Sequence, residues 1–371
     1  MIQKLFVHNF RCLENFELSL ADLPSSLLIG KNGSGKSTVA AALEIFQRIA
    51  RGENRVGDLV TPEDFACGRH EVPMRFSLDA EVKGHGFQYQ LVLEFPEGFR
   101  ELRILEETLT VNGNEFFSRN KVQIRLNKKN PDIETRFDMD WHVVALPVIQ
   151  DFSPDSAIAV FRNWLARLLI LTPIPALIDG DSEGETLWPD RQCRNFGRWF
   201  WGIVTQFPRA YGEIEQTVQT WMSDFKEVKN PTPSNAKQIR SLGVIFQQDS
   251  AKLEVSFDAL SDGEKTFFIC ALVLAAQKFY GPIFCFWDEP DNYLTLSEVG
   301  YFIPTLRRAM EGGGQFLATS HHPETIRKFS DENTFLLYRD THSAPTRKRR
   351  LTEMEIHGDL IDNLIQDDLD P

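Results

Sequence analysis

Residues 30–37 read Gly30-Lys31-Asn32-Gly33-Ser34-Gly35-Lys36-Ser37 and match the pattern G-x-x-x-x-G-K-[ST]. The apolar run 26–29 before them predicts a buried strand, and the Ala-rich run 38–46 after them predicts a helix. In this context the glycines let backbone N–H groups surround an anion, and the helix N-terminus adds its positive dipole. The stretch therefore predicts a phosphate site in which Lys36 reaches the outer phosphates and Ser37 holds Mg²⁺. The alternative is a glycine-rich turn that binds nothing.

The composition is that of an ordinary globular protein, with 42% hydrophobic and 25% charged residues among 371. The formal net charge of -13 argues against a surface that wraps DNA, although a local basic groove is compatible with it. Five scattered cysteines without a C-x-x-C pair indicate reduced thiols, a cytoplasmic location and no zinc site.

Two apolar segments are relevant to targeting. The first residues, 1–6, lack the long apolar core of a signal peptide. The most apolar stretch, 168–178, is short and contains Pro173 and Pro175, so we expect no membrane span and no membrane partner.

Alternation of apolar and polar residues predicts an antiparallel sheet after the phosphate loop. Residues 74–82 and 87–95 alternate around a turn at 83–86, which is a hairpin pattern, and Asn112-Gly113 predicts a second hairpin. We expect this β insert over about residues 73–126. Other predicted strands cover 2–7, 16–20, 244–246, 253–257 and 335–338.

Residues 154–225 carry apolar side chains at helical spacing, which predicts a helical lobe with an aromatic core. A partner-binding or base-stacking face is the alternative. No heptad pattern is sustained, so no long coiled coil is expected. A loop or linker follows at 229–235. The two apolar faces consist of Phe196, Trp199, Phe200, Ile203, Val204 and Phe207, and of Ile214, Val218, Trp221, Met222 and Phe225.

An apolar strand predicted at 282–287 ends in two carboxylates. An acid at a strand end can hold the Mg²⁺ that bridges the outer phosphates, which suits Asp288, and the adjacent Glu289 can polarise the attacking water. A carboxylate pair alone is weak evidence, but it is stronger in a chain that also has a phosphate loop.

Two further polar segments flank this strand. Leu260-Ser261-Asp262-Gly263-Glu264 precedes an apolar helix predicted at 267–276 and forms an anion cradle, an N-cap with a Ser261–Glu264 capping box, or both. The strand predicted at 315–319 leads to His321 and His322, of which one could sense the γ-phosphate. A metal site at this pair is the alternative, but no further His or Cys lies at metal spacing.

In this order the motifs resemble the ABC-type ATPase heads of the RecF, SMC and Rad50 kind. Phe10-Arg11, the antiparallel sheet and the segments 260–263, 288–292 and 320–324 resemble more closely the stand-alone AAA_21 and AAA_15 ATPases, which are related to the ATPase part of OLD-family proteins. The resemblance covers nearly the whole chain and implies an α/β P-loop NTPase head with a β insert and a short helical lobe. It implies ATP and Mg²⁺ as cofactors. Such proteins often occur as ATPase components of bacterial anti-phage systems.

The resemblance also assigns roles to matching positions. Residues 291–294 would couple two nucleotide sites. Ser37 and Asp288 would coordinate Mg²⁺, and Ser261, Gly263 and Glu264 would contact the γ-phosphate of the opposite subunit. The nucleotide-binding residues would be Gly30, Lys31, Asn32, Gly33, Ser34, Gly35, Lys36, Ser37, Thr38, Ser261, Gly263 and Glu264, and the catalytic residues would be Lys36, Glu289 as general base, and His321, which directly follows Thr319-Ser320.

The chain departs from the resemblance in three ways. Asp262 and Glu264 replace the second Gly and the Gln of the usual L-S-G-G-Q, and the Gln of the lobe-coupling loop has no assigned position. The residues after the last predicted strand are too few for the nuclease domain of OLD proteins, so nuclease activity would need a partner.

The expected organisation has four segments. Residues 1–150 form the N-terminal half of an ATPase head, 151–235 a helical insert lobe, 236–345 the C-terminal half of the head, and 346–371 a charged tail. In that tail the basic run 347–350 is interpreted as a solvated patch, with nucleic-acid contact as the alternative.

The sequence is compatible with two functions. The first is an ATPase that forms nucleotide-dependent head-to-tail homodimers and regulates a separate effector, such as a nuclease or toxin, in anti-phage defence. The second is a RecF-like DNA-processing ATPase that binds double-stranded DNA. The β insert argues against a transporter subunit, and Lys36, Asp288 and Glu289 argue against a scaffold that does not hydrolyse ATP.

Overall fold

The computed structural model describes residues 1–127, 134–149, 153, 155–229 and 239–354. The chain divides into unit 1, built from residues 1–168 and those from 331 onward, and unit 2, residues 169–330. The predicted linker from Asn230 on and the acidic end of the tail lie outside the described residues.

Nineteen strands and eight helices are formed by the described residues. The strands are β1 (Ile2–His8), β2 (Phe16–Ser19), β3 (Ser25–Ile29), β4 (Met74–Val82), β5 (His85–Glu94), β6 (Arg103–Val111), β7 (Asn114–Asn120), β8 (Gln123–Asn127), β9 (Glu134–Asp138), β10 (Leu169–Leu171), β11 (Asp181–Ser182), β12 (Phe225–Lys229), β13 (Arg240–Ser241), β14 (Gly243–Gln248), β15 (Ala251–Ser256), β16 (Phe284–Asp288), β17 (Gln315–Thr319), β18 (Thr334–Tyr338) and β19 (Arg347–Arg350). The helices are α1 (Lys36–Ala50), α2 (Val56–Leu59), α3 (Ala157–Ala166), α4 (Phe196–Gln206), α5 (Arg209–Trp221), α6 (Asp262–Tyr280), α7 (Leu296–Met310) and α8 (Pro323–Arg327).

Unit 1 contains an eight-stranded antiparallel sheet in the order β2-β1-β4-β5-β6-β7-β8-β9. Both predicted hairpins are present in it, but the sheet also takes in β1 and β2 and extends past residue 126 to β9. Its apolar face is covered by helices, since Phe46 of α1 packs edge-on against Phe76 and Phe161 of α3 stacks on Phe87. The period-two pattern reflects this one-sided burial.

A charged pair is fully buried in the same sheet. The Glu107 carboxylate accepts hydrogen bonds from the N–H groups of Ala145 and Leu146 and from the Tyr89 hydroxyl, at 2.8–2.9 Å. Arg119 Nη1 lies 3.7 Å from Glu107 Oε2 and also donates to the Val143 carbonyl. The pair thereby fixes the backbone after β9 against the sheet.

The phosphate-loop strand β3 also belongs to unit 1, where β18 pairs with it in parallel and β19 pairs antiparallel with β18. The basic run 347–350 is thus a strand, which its sequence pattern did not predict. Lys348 and Arg350 lie over the Phe335 ring, at 5.9 and 5.1 Å from its centroid, whereas Arg347 and Arg349 are exposed. Stacking on Phe335 lets the apolar stems of two basic side chains cover the sheet.

Unit 2 has the parallel strands β10, β16 and β17, and α6 is buried by aromatic side chains of the helical region. Phe196 of α4 stacks on Phe257, and Trp221 of α5 stacks on Phe267 of α6, so the aromatic faces form a core, as predicted. The prediction of helix throughout 154–225 is wrong at 169–171, a buried parallel strand, and over most of 172–195, where prolines interrupt the chain. A short apolar run does not distinguish a buried strand from a helix.

The longest helix in the described ranges is α6, with 19 residues, so these parts of the chain contain no long coiled coil. None of the helices that the structure describes has the length and apolar character needed to span a bilayer.

Candidate functional site

The phosphate loop connects β3, whose five residues are all buried, to α1. The Lys36 side chain reaches back across the loop, and its Nζ donates to the carbonyls of Gly30 at 2.7 Å and Lys31 at 3.2 Å. Ser37 is exposed and Thr38 half-buried in the first turn of α1, which contains no acidic residue. A lysine ammonium, a serine hydroxyl and an uncompensated helix N-terminus suit an anion of high charge.

Two glycines of the loop are required by close approach as well as by backbone angles. Gly30 has φ 141° and Gly35 has φ 107°, in the region that disfavours other residues. A Cβ on Gly30 would lie 2.1 Å from the Leu337 carbonyl oxygen, and one on Gly35 would lie 2.5 Å from Thr346 Oγ1. Gly30 therefore cannot be replaced without moving β18, and Gly35 cannot be replaced without displacing the buried Thr346 side chain.

In unit 2 Asp288 is the last residue of β16 and Glu289 directly follows it, so both carboxylates lie at the strand end, as the sequence predicts. The Thr319 hydroxyl, at the end of the neighbouring strand, donates to Asp288 Oδ1 at 2.5 Å and accepts from the Glu289 N–H at 3.0 Å. Glu289 itself has φ 51°, an uncommon angle for a residue other than glycine. One buried hydroxyl thus holds the Asp288 carboxylate and the backbone N–H of Glu289 at the point where the strand ends.

The Glu289 carboxylate has two further neighbours. Asn292 Nδ2 donates to Glu289 Oε2 at 2.5 Å, and His321 Nε2 lies 3.8 Å from Glu289 Oε1. His322 is turned elsewhere, because its Nδ1 accepts from the Glu324 N–H at the start of α8. Of the two adjacent histidines, His321 is the one beside the carboxylate. No group of three or more metal-ligating His, Cys, Asp or Glu side chains occurs among the described residues.

Asp291 joins the loops that carry these groups. Its buried Oδ2 accepts hydrogen bonds from the hydroxyls of Ser320, directly before His321, and Thr325, in α8. Desolvation by burial raises the pKa of Asp291. The loop after Glu289 and the loop of His321 are therefore held together by one carboxylate.

The segment 260–264 forms the start of α6. Ser261 and Glu264 make a complete capping box, with Glu264 Oε2 accepting from the Ser261 N–H at 2.7 Å and Ser261 Oγ accepting from the Glu264 N–H at 3.3 Å. A Cβ on Gly263 would lie 3.0 Å from the Tyr293 carbonyl oxygen, so this helix start lies against the loop 291–294. The predicted N-cap is present, and Ser261 and Asp262 remain exposed.

The sequence model of one protein family, described as "AAA domain, putative AbiEii toxin, Type IV TA system", matches residues 25–327. The chain belongs to this AAA family. The match begins at β3, before the phosphate loop, and ends in α8, so it includes the carboxylate pair and both histidines. Comparison with curated proteins finds no match.

The fold of this AAA-family chain is similar to that of SMC heads. The SmcHead bound to the C-winged helix domain of ScpA aligns with a TM-score of 0.54 and 14% identity, over 95% of this chain and 98% of that one. The Smc head domain from Pyrococcus furiosus, with an extended coiled coil and bound to the C-terminal domain of ScpA, aligns with a TM-score of 0.51 and 13% identity, over 95% and 97%. This similarity confirms the predicted fold, an α/β P-loop head of the ABC type.

Three residues around the candidate groups were missed by motif reasoning, and a fourth, Asn292, was recognised only as part of the loop 291–294. Thr319 and Asn292 contact the carboxylates, and Arg339 and Thr346 contact the phosphate loop. Thr319 could have been found from its position, because parallel neighbouring strands bring Asp288 and Thr319 side by side. Arg339 and Thr346 carry no such signal, since their contacts join residues about three hundred positions apart.

Proposed function

We propose that this chain hydrolyses ATP in an Mg²⁺-dependent reaction, with the phosphate loop 30–38 binding the triphosphate. The observation that carries the proposal is the arrangement of Glu289, whose carboxylate is held by Asn292 and faces His321. The Thr319 hydroxyl joins the Glu289 backbone N–H to the carboxylate of the adjacent Asp288. This is the residue set that phosphoryl transfer to water requires: a base, a metal-binding acid and a polar group near the developing charge.

In this mechanism Glu289 accepts the proton of the attacking water, and His321 orients that carboxylate and the transferred phosphoryl group. Lys36 neutralises charge on the outer phosphates, while the N–H groups of the loop hold their oxygens. Ser37 and Asp288 would hold Mg²⁺, which would offset the negative charge of the outer phosphates. ADP and phosphate leave without any covalent intermediate on the protein.

We further propose that two copies combine head-to-tail around two ATP molecules, with Ser261, Gly263 and Glu264 of one copy contacting the γ-phosphate on the other. The exposure of Ser261 at the start of α6 supports this role, as does the contact of Gly263 with the loop 291–294. Hydrolysis would remove the γ-phosphate that both copies share. The dimer state would therefore report whether ATP is intact.

Light scattering of Glu289→Gln tests the head-to-tail dimer, and phosphate release by the wild-type protein tests the ATPase activity. We expect ATP and Mg²⁺ to double the mass of Glu289→Gln, which retains ATP, and to leave the double variant Lys36→Ala/Glu289→Gln unchanged. Glu183→Gln, an exposed glutamate of the same unit, is the matched control and should release phosphate at the wild-type rate. An unchanged mass of monomeric Glu289→Gln excludes the head-to-tail dimer, and a wild-type protein that releases no phosphate excludes the ATPase.

We also propose that the nucleotide state regulates a separate effector, such as a nuclease or toxin, in bacterial anti-phage defence. The family description, which names a toxin and a type IV TA system, supports a partnered role. Phage plating on hosts that carry the gene with its neighbours, as wild type or Glu289→Gln, tests it, and equal plaque counts contradict it. Strong stimulation of hydrolysis by double-stranded DNA with a steep salt dependence would favour the RecF-like alternative instead.

A further inference from the structure

The loop 339–346, which connects β18 to β19, lies against the outer side of the phosphate loop. Both segments belong to unit 1, although they are separated by about three hundred residues along the chain. Two hydrogen bonds join them, from Arg339 to Gly33 and from Thr346 to Ser34, and the backbone carbonyl of Leu337 in β18 lies close to Gly30. The phosphate loop is therefore supported from outside along most of its length.

Arg339 uses all three guanidinium nitrogens in this support. Nη1 donates to the Gly33 carbonyl at 3.0 Å, Nε donates to the Ala344 carbonyl at 2.8 Å, and Nη2 donates to the His342 carbonyl. The bonds to the Ala344 and His342 carbonyls fix the conformation of the loop 339–346, and the bond to the Gly33 carbonyl attaches the phosphate loop to it. A planar guanidinium suits this task because its donors have fixed relative directions.

Thr346 is buried and makes the second connection. Its hydroxyl donates to the Ser34 carbonyl at 2.9 Å, and its N–H donates to the Cys12 carbonyl at 2.8 Å. The same hydroxyl oxygen would lie 2.5 Å from a Cβ on Gly35. Thr346 thus both bonds to the loop and limits how far Gly35 can move outward.

These bonds set the direction of peptide groups in the phosphate loop. In a planar trans peptide the C=O of one residue and the N–H of the next point in opposite directions. With the Ser34 carbonyl turned toward Thr346, the Gly35 N–H points away from the hairpin. With the Gly33 carbonyl turned toward Arg339, the Ser34 N–H points away from Arg339 and donates to the Lys31 carbonyl at 3.1 Å, which closes the turn 31–34.

We infer that Arg339 and Thr346 are positioning residues for nucleotide binding. Thr346 holds the Gly35 N–H in the orientation that receives a phosphate oxygen, and Arg339 holds the turn 31–34 that precedes it. The inference rests on the proposed function, because it takes a nucleoside triphosphate as the ligand. Loss of either contact lets the loop rotate its peptide groups, and binding must then restore their orientation. The base and the metal-binding acid lie on other segments, so we expect ATP binding to be weakened more than the chemical step.

The test compares four variants by calorimetric titration with ATP at one salt concentration. We expect Arg339→Ala and Thr346→Val to raise the Kd for ATP about tenfold, as for loss of a hydrogen bond to a well-placed partner. Thr346→Ser, which keeps the hydroxyl, and Arg349→Ala, an exposed arginine of the same hairpin, should stay within about twofold of wild type. In steady-state hydrolysis the first two variants should raise KM with kcat within about threefold.

Melting curves without nucleotide establish that each variant is folded; should Arg339→Ala not fold, Arg339→Lys takes its place with the same expectation of weaker binding. Wild-type affinity in Thr346→Val, or equal weakening in Thr346→Ser and Thr346→Val, overturns the inference. Equal weakening in Arg339→Ala and Arg349→Ala also overturns it, because general charge attraction would then explain the effect. A wild-type protein that binds no ATP refutes the proposed function instead.

Discussion

His321 Nε2 lies 3.8 Å from Glu289 Oε1, whereas the adjacent His322 accepts a hydrogen bond from the Glu324 N–H and caps α8. Two neighbouring residues of the same type thus have different neighbours, one at the carboxylate and one at a helix start. Single substitutions should separate a chemical contribution from a structural one.

We expect His321→Ala to lower kcat for ATP hydrolysis about 100-fold with little change in thermal stability, because the histidine is exposed and contacts the proposed base. His322→Ala should cost about 1 kcal/mol of stability through loss of the cap and leave kcat within about threefold. Phosphate release at saturating ATP and urea unfolding measure the two effects. The reverse pattern would assign the role to His322.

Thr319 gives a second prediction, because its hydroxyl donates to the Asp288 carboxylate and accepts from the Glu289 N–H. Thr319→Val preserves the shape of the side chain but removes the hydroxyl, and we expect the Mg²⁺ concentration for half-maximal hydrolysis to rise about tenfold, as for loss of a group that orients a metal ligand. Thr319→Ser keeps the hydroxyl and should need the wild-type Mg²⁺ concentration. Identical Mg²⁺ titrations of the Val variant and wild type would contradict this role.

Asp291 allows a prediction about pH. Burial raises the pKa of Asp291 in the folded state, with partial opposition from the Ser320 and Thr325 hydroxyls and from His322. Since the unfolded protein then ionises at lower pH than the folded one, the contribution of Asp291 to stability falls as pH rises from the ordinary Asp pKa through the raised one.

Asp291→Asn does not titrate, and its amide oxygen can still accept both hydroxyl hydrogen bonds. We therefore expect the unfolding free energy of Asp291→Asn to increase relative to that of wild type as pH rises from about 4 to about 8. Urea unfolding across that range measures the difference, with the exposed Asp331→Asn as control. A difference that does not vary with pH would show that ionisation of the buried Asp291 carboxylate does not lower the stability of the folded protein.

The groups that sequence reasoning found are those whose partners lie nearby in the chain. The structure of residues 30–37 could be predicted from their sequence, because a strand, a glycine loop and a helix follow one another directly. Asp288, Glu289 and the Ser261–Glu264 capping box were likewise visible as short patterns. In each case the physical cause, a helix start or a strand end, is local.

The features that sequence reasoning missed depend on contacts between distant segments. Strand Leu169–Leu171 is a short apolar run next to a helix, and only its parallel pairing with β16 distinguishes it from helix. The basic strand Arg347–Arg350 has no apolar alternation, because two of its stems cover Phe335 instead. Arg339 is an ordinary surface arginine by sequence, and its contact with Gly33 follows from the pairing of β3 with β18.

The buried pair Glu107 and Arg119 gives the last prediction. Three donors converge on the Glu107 carboxylate, two of them backbone N–H groups, while Arg119 depends on it for charge compensation. In Glu107→Gln the amide nitrogen would face one of these donors, and Arg119 would remain buried without a counter-charge. We expect a loss of about 3–5 kcal/mol in unfolding free energy.

Substitutions of two neighbouring residues should lower the unfolding free energy less than Glu107→Gln does. Tyr89→Phe removes one of the hydrogen bonds to Glu107 and should cost about 1 kcal/mol. Glu106→Gln, on the adjacent half-buried residue of β6, should change stability by less than about 0.5 kcal/mol. Urea unfolding followed by tryptophan fluorescence tests the series, because Trp141 and Trp164 both lie in unit 1. If Glu107→Gln is no less stable than Glu106→Gln, the buried carboxylate does not hold the backbone after β9 in place.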